Sequence, residues 1–171
     1  AAQGKTIIIV THDSSLAKRT HRTALITDGE IANEYVARAL PALTHEQLMR
    51  VSRAAVAQTY EPGAMIFRQG SACQDFYVVA SGKVEIVLQR ENASDVVVAQ
   101  LGPGQYFGEM QLLYGRGRSA SARASEFAPA EVYAVNHQTL SEILGESDSL
   151  REAISQTASE RMAQNRIVLG D

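Results

Sequence analysis

Between residues 60 and 135 the chain alternates short runs of β-forming residues with isolated glycines, and this pattern limits its fold more than any other feature. The runs lie at residues 65–67, 76–79, 84–88, 96–101 and 132–135. Short strands that turn at glycine are typical of an antiparallel sandwich or barrel. In the run 84–88, apolar Val84, Ile86 and Leu88 alternate with Glu85 and Val87, which predicts one strongly buried face.

The segments on either side of this region are predicted to be helical. Within residues 36–59, Thr44 and Gln47 have the spacing of a capping box, and Pro41 separates this helix from a shorter one before it. Its apolar face is predicted at helical spacing, at Leu48, Val51, Ala55 and Val56. Residues 136–171 return to a helical pattern, with apolar positions at Leu140, Ile143, Leu144, Leu150, Ile154 and Met162.

The N-terminal residues 1–35 have a different pattern. They predict a strand at 6–10, a helix at 14–20 and a hairpin in which residues 24–27 turn at Asp28-Gly29 into Glu30-Ile31. A unit of this length is too short to bury a core of its own, so we expect it to be the edge of something larger. Gly4-Lys5-Thr6 resembles the end of a phosphate-binding P-loop, but a β-branched run follows it where a P-loop requires a helix.

Composition narrows the classes of function. The net charge of −3 over 171 residues gives no basic field for nucleic acid, and no apolar run approaches the length of a bilayer span. A single cysteine, Cys73, excludes an internal disulfide and favours a cytoplasmic setting. All four histidines fall outside residues 60–135, which argues against a cupin-type metalloenzyme with a His-lined site in the β-region. We therefore expect no metal.

Residues 107–121 are too long for a turn between strands, and Glu109 to Leu113 can form a short helix directly after Gly108. Free N–H groups at such a helix start attract anions, and glycine lets a ligand approach them closely. Arg118 can supply a two-pronged donor to an anion, while Glu109 can accept from a hydroxyl. An ordinary alternative is an ion pair between Glu109 and Arg118 that only fastens the segment.

This segment closely resembles the phosphate-binding cassette of cyclic nucleotide-binding domains, and we call residues 107–121 the cassette. The resemblance rests on Phe107-Gly108-Glu109-Met110, Leu112-Leu113 and Arg118-Ser119-Ala120-Ser121. It extends over roughly residues 43–165, through Tyr60-Glu61-Pro62-Gly63, Gln69-Gly70, Phe76-Tyr77-Val78-Val79, Gly82-Lys83-Val84 and Leu101-Gly102-Pro103-Gly104. It implies an antiparallel jelly-roll β-barrel, or double-stranded β-helix, at residues 60–135 with helices at 36–59 and 136–171.

The resemblance also implies which residues bind cyclic nucleotide, with cAMP favoured over cGMP. Arg118 would pair with the cyclic phosphate, assisted by Ser119, and Glu109 would accept from the ribose 2′-hydroxyl. Backbone N–H groups of three cassette residues would close around ribose and phosphate, those of Gly108, Met110 and Gln111. Gln111 stands where the family usually has a small residue. Two apolar residues, Val98 and Ala99, would flank the purine, and Arg151, Arg161 or Arg166 would reach the ligand from the C-terminal helices.

The N-terminal strip is similar to the last segment of an ABC-transporter ATPase domain. This second resemblance rests on Ile8-Ile9-Val10-Thr11-His12-Asp13 and on Leu25-Ile26-Thr27-Asp28-Gly29-Glu30-Ile31. It places His12 at the switch histidine, without the Walker A, Walker B and signature motifs of such an ATPase. The two resemblances together imply a non-enzymatic regulatory module, residues 36–171, that controls a fused or associated ABC transporter.

Two other functions fit a β-domain of this type. The first is the sensor of a transcription regulator without its DNA-binding domain, although the sequence contains no basic recognition helix. The second is a degenerate domain used only for contacts with other proteins. The presence of both Glu109 and Arg118 argues against the second.

Overall fold

The computed structural model describes residues 9–11, 25–27, 30–72, 75–90, 93–115 and 117–169. It contains a short N-terminal hairpin, two four-stranded sheets and five helices within these residues. The strands are β1 (Leu25–Thr27), β2 (Glu30–Ala32), β3 (Val56–Tyr60), β4 (Met65–Phe67), β5 (Asp75–Ser81), β6 (Val84–Arg90), β7 (Ala93–Leu101), β8 (Tyr106–Phe107), β9 (Ser121–Ala124) and β10 (Ala130–Asn136). The helices are α1 (Glu34–Ala39), α2 (His45–Ala54), α3 (Glu109–Tyr114), α4 (His137–Glu146) and α5 (Asp148–Leu169).

The two large sheets form an antiparallel sandwich, as the glycine-punctuated pattern predicts. Their strand orders are β3-β10-β5-β8 and β4-β9-β6-β7. Side chains from both sheets share one core, in which the rings of Phe67, Tyr77 and Phe107 pack at centroid distances of 5.0–5.8 Å. The jelly-roll prediction of a mainly β domain with flanking helices is therefore confirmed. The strands are not closed into a barrel, since neither sheet shares a strand with the other.

The helices pack on the outer side of the first sheet. A second core joins α1, α2, α4 and α5 to side chains of β5 and β10 such as Phe76, Val78 and Val135. The predicted capping box at the start of α2 is present, because Thr44 Oγ1 accepts from Gln47 N–H and Gln47 Oε1 accepts from Thr44 N–H. Among the predicted apolar positions after residue 137, Leu140, Ile143, Leu144, Leu150 and Ile154 are buried, whereas Met162 is exposed.

The predicted helix over 36–59 extends too far. Helix α2 ends at Ala54, and residues 56–60 form strand β3 with the Val56 side chain 60% exposed. This segment pairs with β10 from Ala130↔Tyr60 to Ala134↔Val56. Pairing with a neighbouring strand overrides the weak helical preference of the alanines at positions 54, 55 and 57.

The prediction of a single buried face on residues 84–88 is also wrong. Val84, Glu85, Val87 and Leu88 are all buried, and the register shifts between Ile86 and Val87. One face of β6 covers the sandwich core, and the other buries Glu85, whose carboxylate accepts from Arg123 Nε at 2.9 Å. Both faces are therefore covered by protein.

The two predicted strands of the N-terminal hairpin are present and pair with each other. Strands β1 and β2 pair from Leu25↔Ala32 to Thr27↔Glu30. Residues 9–11, at the end of the predicted first strand, are in neither strand nor helix, and the Val10 side chain is exposed. The predicted helix at 14–20, His12, the Asp28-Gly29 turn and Cys73 lie outside the described residues. In the described ranges no helix is both long and apolar enough to cross a bilayer.

Gly82 begins the turn between β5 and β6 in a conformation that only glycine adopts easily. Its φ is +71°, and an added Cβ would overlap the backbone of Pro129 and Ala130. Gly63 has nearly the same φ, +74°, but an added Cβ there would meet only Glu126 Cγ at 3.8 Å. A substitution at Gly63 therefore causes backbone strain alone, whereas a substitution at Gly82 causes both strain and a steric clash.

We expect Gly82→Ala to lower the free energy of unfolding by about 3 kcal/mol, since it adds the clash to the strain. Gly63→Ala, the matched control, has strain alone and should cost about 1–2 kcal/mol. Equilibrium unfolding in urea measures both values. Equal losses in the two variants would contradict the importance of the close approach at Gly82.

Candidate ligand-binding site

One pocket opens between the second sheet, the cassette and α5. About 600 Å³ of space not filled by protein atoms lies within it, and this volume includes open solvent. All eight residues predicted from the sequence line it: Val98, Ala99, Gly108, Glu109, Met110, Gln111, Arg118 and Ser119. Residues that are 20 positions apart in the sequence, such as Val98 and Arg118, thus surround one space. The Ser119 side chain lies at its exposed rim.

Gly108 makes the tight join between β8 and α3 possible. Its φ of +92° is left-handed, and a Cβ at this position would lie 2.6 Å from Arg118 Nη1 and 3.0 Å from the Asp75 carbonyl oxygen. The predicted short helix follows immediately as α3, and Gly115, also left-handed, ends it. Glycine at 108 therefore leaves the space that the Arg118 side chain occupies.

Arg118 is buried between the sheets, with only 4% of its surface exposed. Its Nη1 donates to the Gly108 carbonyl at 3.0 Å, and Nη2 donates to the Asp75 carbonyl. The guanidinium lies over the Phe67 ring, with Cζ 4.1 Å from the ring centroid. These contacts hold a full positive charge against an aromatic face and two carbonyl dipoles.

Glu109 is the buried acceptor of the site, with 2% of its surface exposed. Its Oε1 accepts from Arg161 Nη1 at 2.9 Å, which joins the cassette to α5. The alternative ion pair between Glu109 and Arg118 is not formed between these two described residues. Arg161 also lies over the Tyr106 ring at 5.1 Å, and burial raises the pKa of the Tyr106 phenol above its usual value.

Helix α5 covers the pocket with three side chains at helical spacing, those of Arg161, Gln164 and Asn165. Of the arginines proposed from the sequence, only Arg161 lines the pocket. Arg151 donates instead to the Leu144 carbonyl at 2.6 Å, and Arg166 is exposed. Gln164 and Asn165 were not predicted, although they follow Arg161 by one helical turn and share its face.

Several apolar lining residues were also not predicted: Phe67, Ile86, Leu101, Phe107 and Ala120. Ala120 directly precedes β9, the other four lie in strands of both sheets, and only the sheet pairing brings them to the same space. The described residues contain no group of three or more His, Cys, Asp or Glu side chains that could hold a metal ion. The site therefore combines apolar walls with a buried cation and a buried carboxylate.

Known proteins are similar in sequence to this chain over part of their length. The type II regulatory subunit of cAMP-dependent protein kinase from Drosophila melanogaster is 37% identical over 86 residues, which is 50% of this chain and 22% of that protein. A Mycobacterium tuberculosis protein named as an uncharacterized ABC transporter ATP-binding protein is 29% identical over 158 residues, 92% of this chain and 42% of the relative. The chain thus spans less than half the length of these two relatives.

The solved structure of the Thermus thermophilus catabolite activator protein has a TM-score of 0.64 and 28% identity to this chain, covering 80% of it and 62% of that structure. The family model of the cyclic nucleotide-binding domain matches residues 57–147, which include the cassette and nearly all of both sheets. This match covers more than half of the chain. The chain belongs to the cyclic nucleotide-binding domain family.

Proposed function

We propose that this chain is a regulatory module that binds cAMP in the pocket under α5. The observation that carries the proposal is the buried guanidinium of Arg118. Among the described residues no carboxylate neutralises it, and it contacts backbone carbonyls and aromatic faces there. A buried charge without a counter-ion is costly, so an anionic ligand gains from entering this site. The cyclic phosphate of cAMP carries one such negative charge.

The remaining lining residues fit the other parts of the nucleotide. Glu109 offers carboxylate oxygens to a ribose hydroxyl, and Val98 and Ala99 offer an apolar wall to a purine. A cGMP-dependent protein kinase from Eimeria tenella is also similar, at 32% identity over 103 residues, and the higher identity of 37% to the cAMP-dependent kinase subunit is our reason for proposing cAMP. The site holds and positions a ligand, and we assign it no catalytic step.

We expect Arg118→Ala to weaken cAMP binding by about 2–4 kcal/mol, because truncation removes the cation that would pair with the phosphate. Isothermal titration calorimetry of the whole chain with cAMP and, in parallel, with cGMP measures the effect. Arg68→Ala is the matched control, since Arg68 is exposed and does not line the pocket. Equal affinities of Arg118→Ala and wild type would remove the basis of the proposal.

We further propose that the module controls an ABC transporter to which it is fused or bound. In this proposal residues 1–35 are the end of an ATPase domain and residues 36–171 are the cyclic nucleotide-binding domain. Support comes from the M. tuberculosis relative, whose alignment covers 92% of this chain. The exposed Ile26 and Ile31 side chains, which face each other across the hairpin, also suit a strip that packs on further protein.

Helix α5 is the element through which the ligand would act. Arg161 donates to Glu109, the same carboxylate that we assign to the ribose hydroxyl. A ligand that engages Glu109 therefore changes how strongly this carboxylate holds α5. The ligand can shift the equilibrium between two positions of α5 only by the difference in its affinity for the two.

We expect Arg161→Ala to increase backbone hydrogen exchange in α5 and to abolish the effect of cAMP on it. The lost charged hydrogen bond is worth roughly 1–3 kcal/mol, so exchange should rise by about tenfold or more. Hydrogen–deuterium exchange mass spectrometry, with and without cAMP, tests this. Arg166→Ala, an exposed arginine on the same helix, should exchange like wild type. An unchanged response to cAMP in Arg161→Ala would refute the coupling.

A further inference from the structure

The buried polar atoms without a partner cluster around Arg118. Among the described residues, the buried side-chain atoms that lack a hydrogen bond are Arg118 Nε, Gln111 Oε1 and Ser71 Oγ. Ser71 is bonded directly to the Arg118 backbone, since its carbonyl accepts from Arg118 N–H at 3.2 Å. Buried polar groups without partners are costly and are rare in native proteins, so their presence on Arg118 and on two residues next to it points to a second arrangement of the Arg118 side chain.

Gln111 and Arg118 also line the same small cavity behind α3, which is distinct from the main pocket. Asp75, Phe76 and His137 form its other walls, with Gly108 and Leu112. The cavity is too narrow to hold a water molecule, so water cannot satisfy either orphaned atom from there. Arg118 Nε is a hydrogen-bond donor, and Gln111 Oε1 is an acceptor. Each can therefore be satisfied by the other.

A count of donors shows what this pairing would achieve. The guanidinium has five N–H donors, and the Gly108 and Asp75 carbonyls each accept one of them. If Gln111 Oε1 accepts the Nε–H, two donors remain, one on each terminal nitrogen. These two can form the fork that matches a pair of phosphate oxygens.

We propose that Gln111 is a positioning residue for Arg118, whose Nε–H donates to Gln111 Oε1 when the guanidinium binds an anion. This inference rests on the proposed binding of cAMP. The backbone of Gln111 is already fixed, because its carbonyl accepts from Gly115 N–H at 2.9 Å at the end of α3. Only the two side chains have to move. The role belongs to the Gln111 carboxamide and is separate from any contact of its backbone N–H with a ligand.

The test is a double-mutant cycle on the full chain, with cAMP affinity measured by calorimetry. We expect Gln111→Met, which keeps the length of the side chain but removes the acceptor, to weaken binding about tenfold. Gln111→Asn, which withdraws the oxygen by one methylene, should give a similar loss and serves if the Met variant does not fold. Gln138→Met, at an exposed position on α4, is the matched control and should bind like wild type.

The Arg118→Lys background separates positioning from a general structural effect. Lysine has no Nε–H equivalent, so Gln111→Met should change cAMP affinity there by less than about twofold. In ¹⁵N-labelled wild type, the Arg118 Nε–H signal, identified by its loss in Arg118→Lys, should shift on cAMP addition. In Gln111→Met that shift should be absent.

Each outcome decides one of the two proposals. Wild-type affinity in Gln111→Met, or an equal loss in both backgrounds, would overturn the positioning role and leave cAMP binding intact. A wild-type chain that binds neither cAMP nor cGMP would overturn the proposed function, and the positioning role with it.

Discussion

The placement of one guanidinium inside an antiparallel sandwich is the constraint on which the rest of this site depends. Arg118 lies over Phe67 and donates to two backbone carbonyls, so the fold bears the cost of burying a cation before any ligand arrives. The left-handed Gly108 is needed because any side chain there would collide with the guanidinium. Helix α3 follows Gly108 directly, and the Ser71 carbonyl accepts from the Arg118 backbone N–H.

Glu109 and Arg118 lie beside the same pocket yet have opposite electrostatic surroundings. Arg161 already neutralises the Glu109 carboxylate, whereas Arg118 has dipoles and rings around it. A ligand with one negative charge and a hydroxyl donor would therefore pair with Arg118 and would compete with Arg161 for Glu109. Under the proposed binding of cAMP, this asymmetry would connect recognition of the phosphate by Arg118 with the contact that holds α5 to Glu109.

The cassette could be predicted from the sequence because its geometry is local. A left-handed glycine, a short helix and an arginine lie within residues 107–121, and all eight predicted residues line the pocket. Arg161, by contrast, meets Glu109 across 52 positions of sequence, through the docking of a long helix. Helical periodicity showed which α5 residues share a face but could not show which of them point into the pocket. Strand β3 was missed for a similar reason, since only its pairing with β10 distinguishes it from the end of α2.

The joint between the N-terminal hairpin and the domain has a mechanical consequence. Ala32 of β2 is buried in the helical core, Asn33 caps α1 through its side chain, and the Asn33 backbone N–H donates to Ser52 Oγ of α2 at 2.9 Å. Asn33 is the single residue between the end of β2 at Ala32 and the start of α1 at Glu34, and both its side chain and its backbone N–H are hydrogen-bonded. A rotation of the hairpin would therefore rotate α1 and α2 with it, because no flexible linker lies between them.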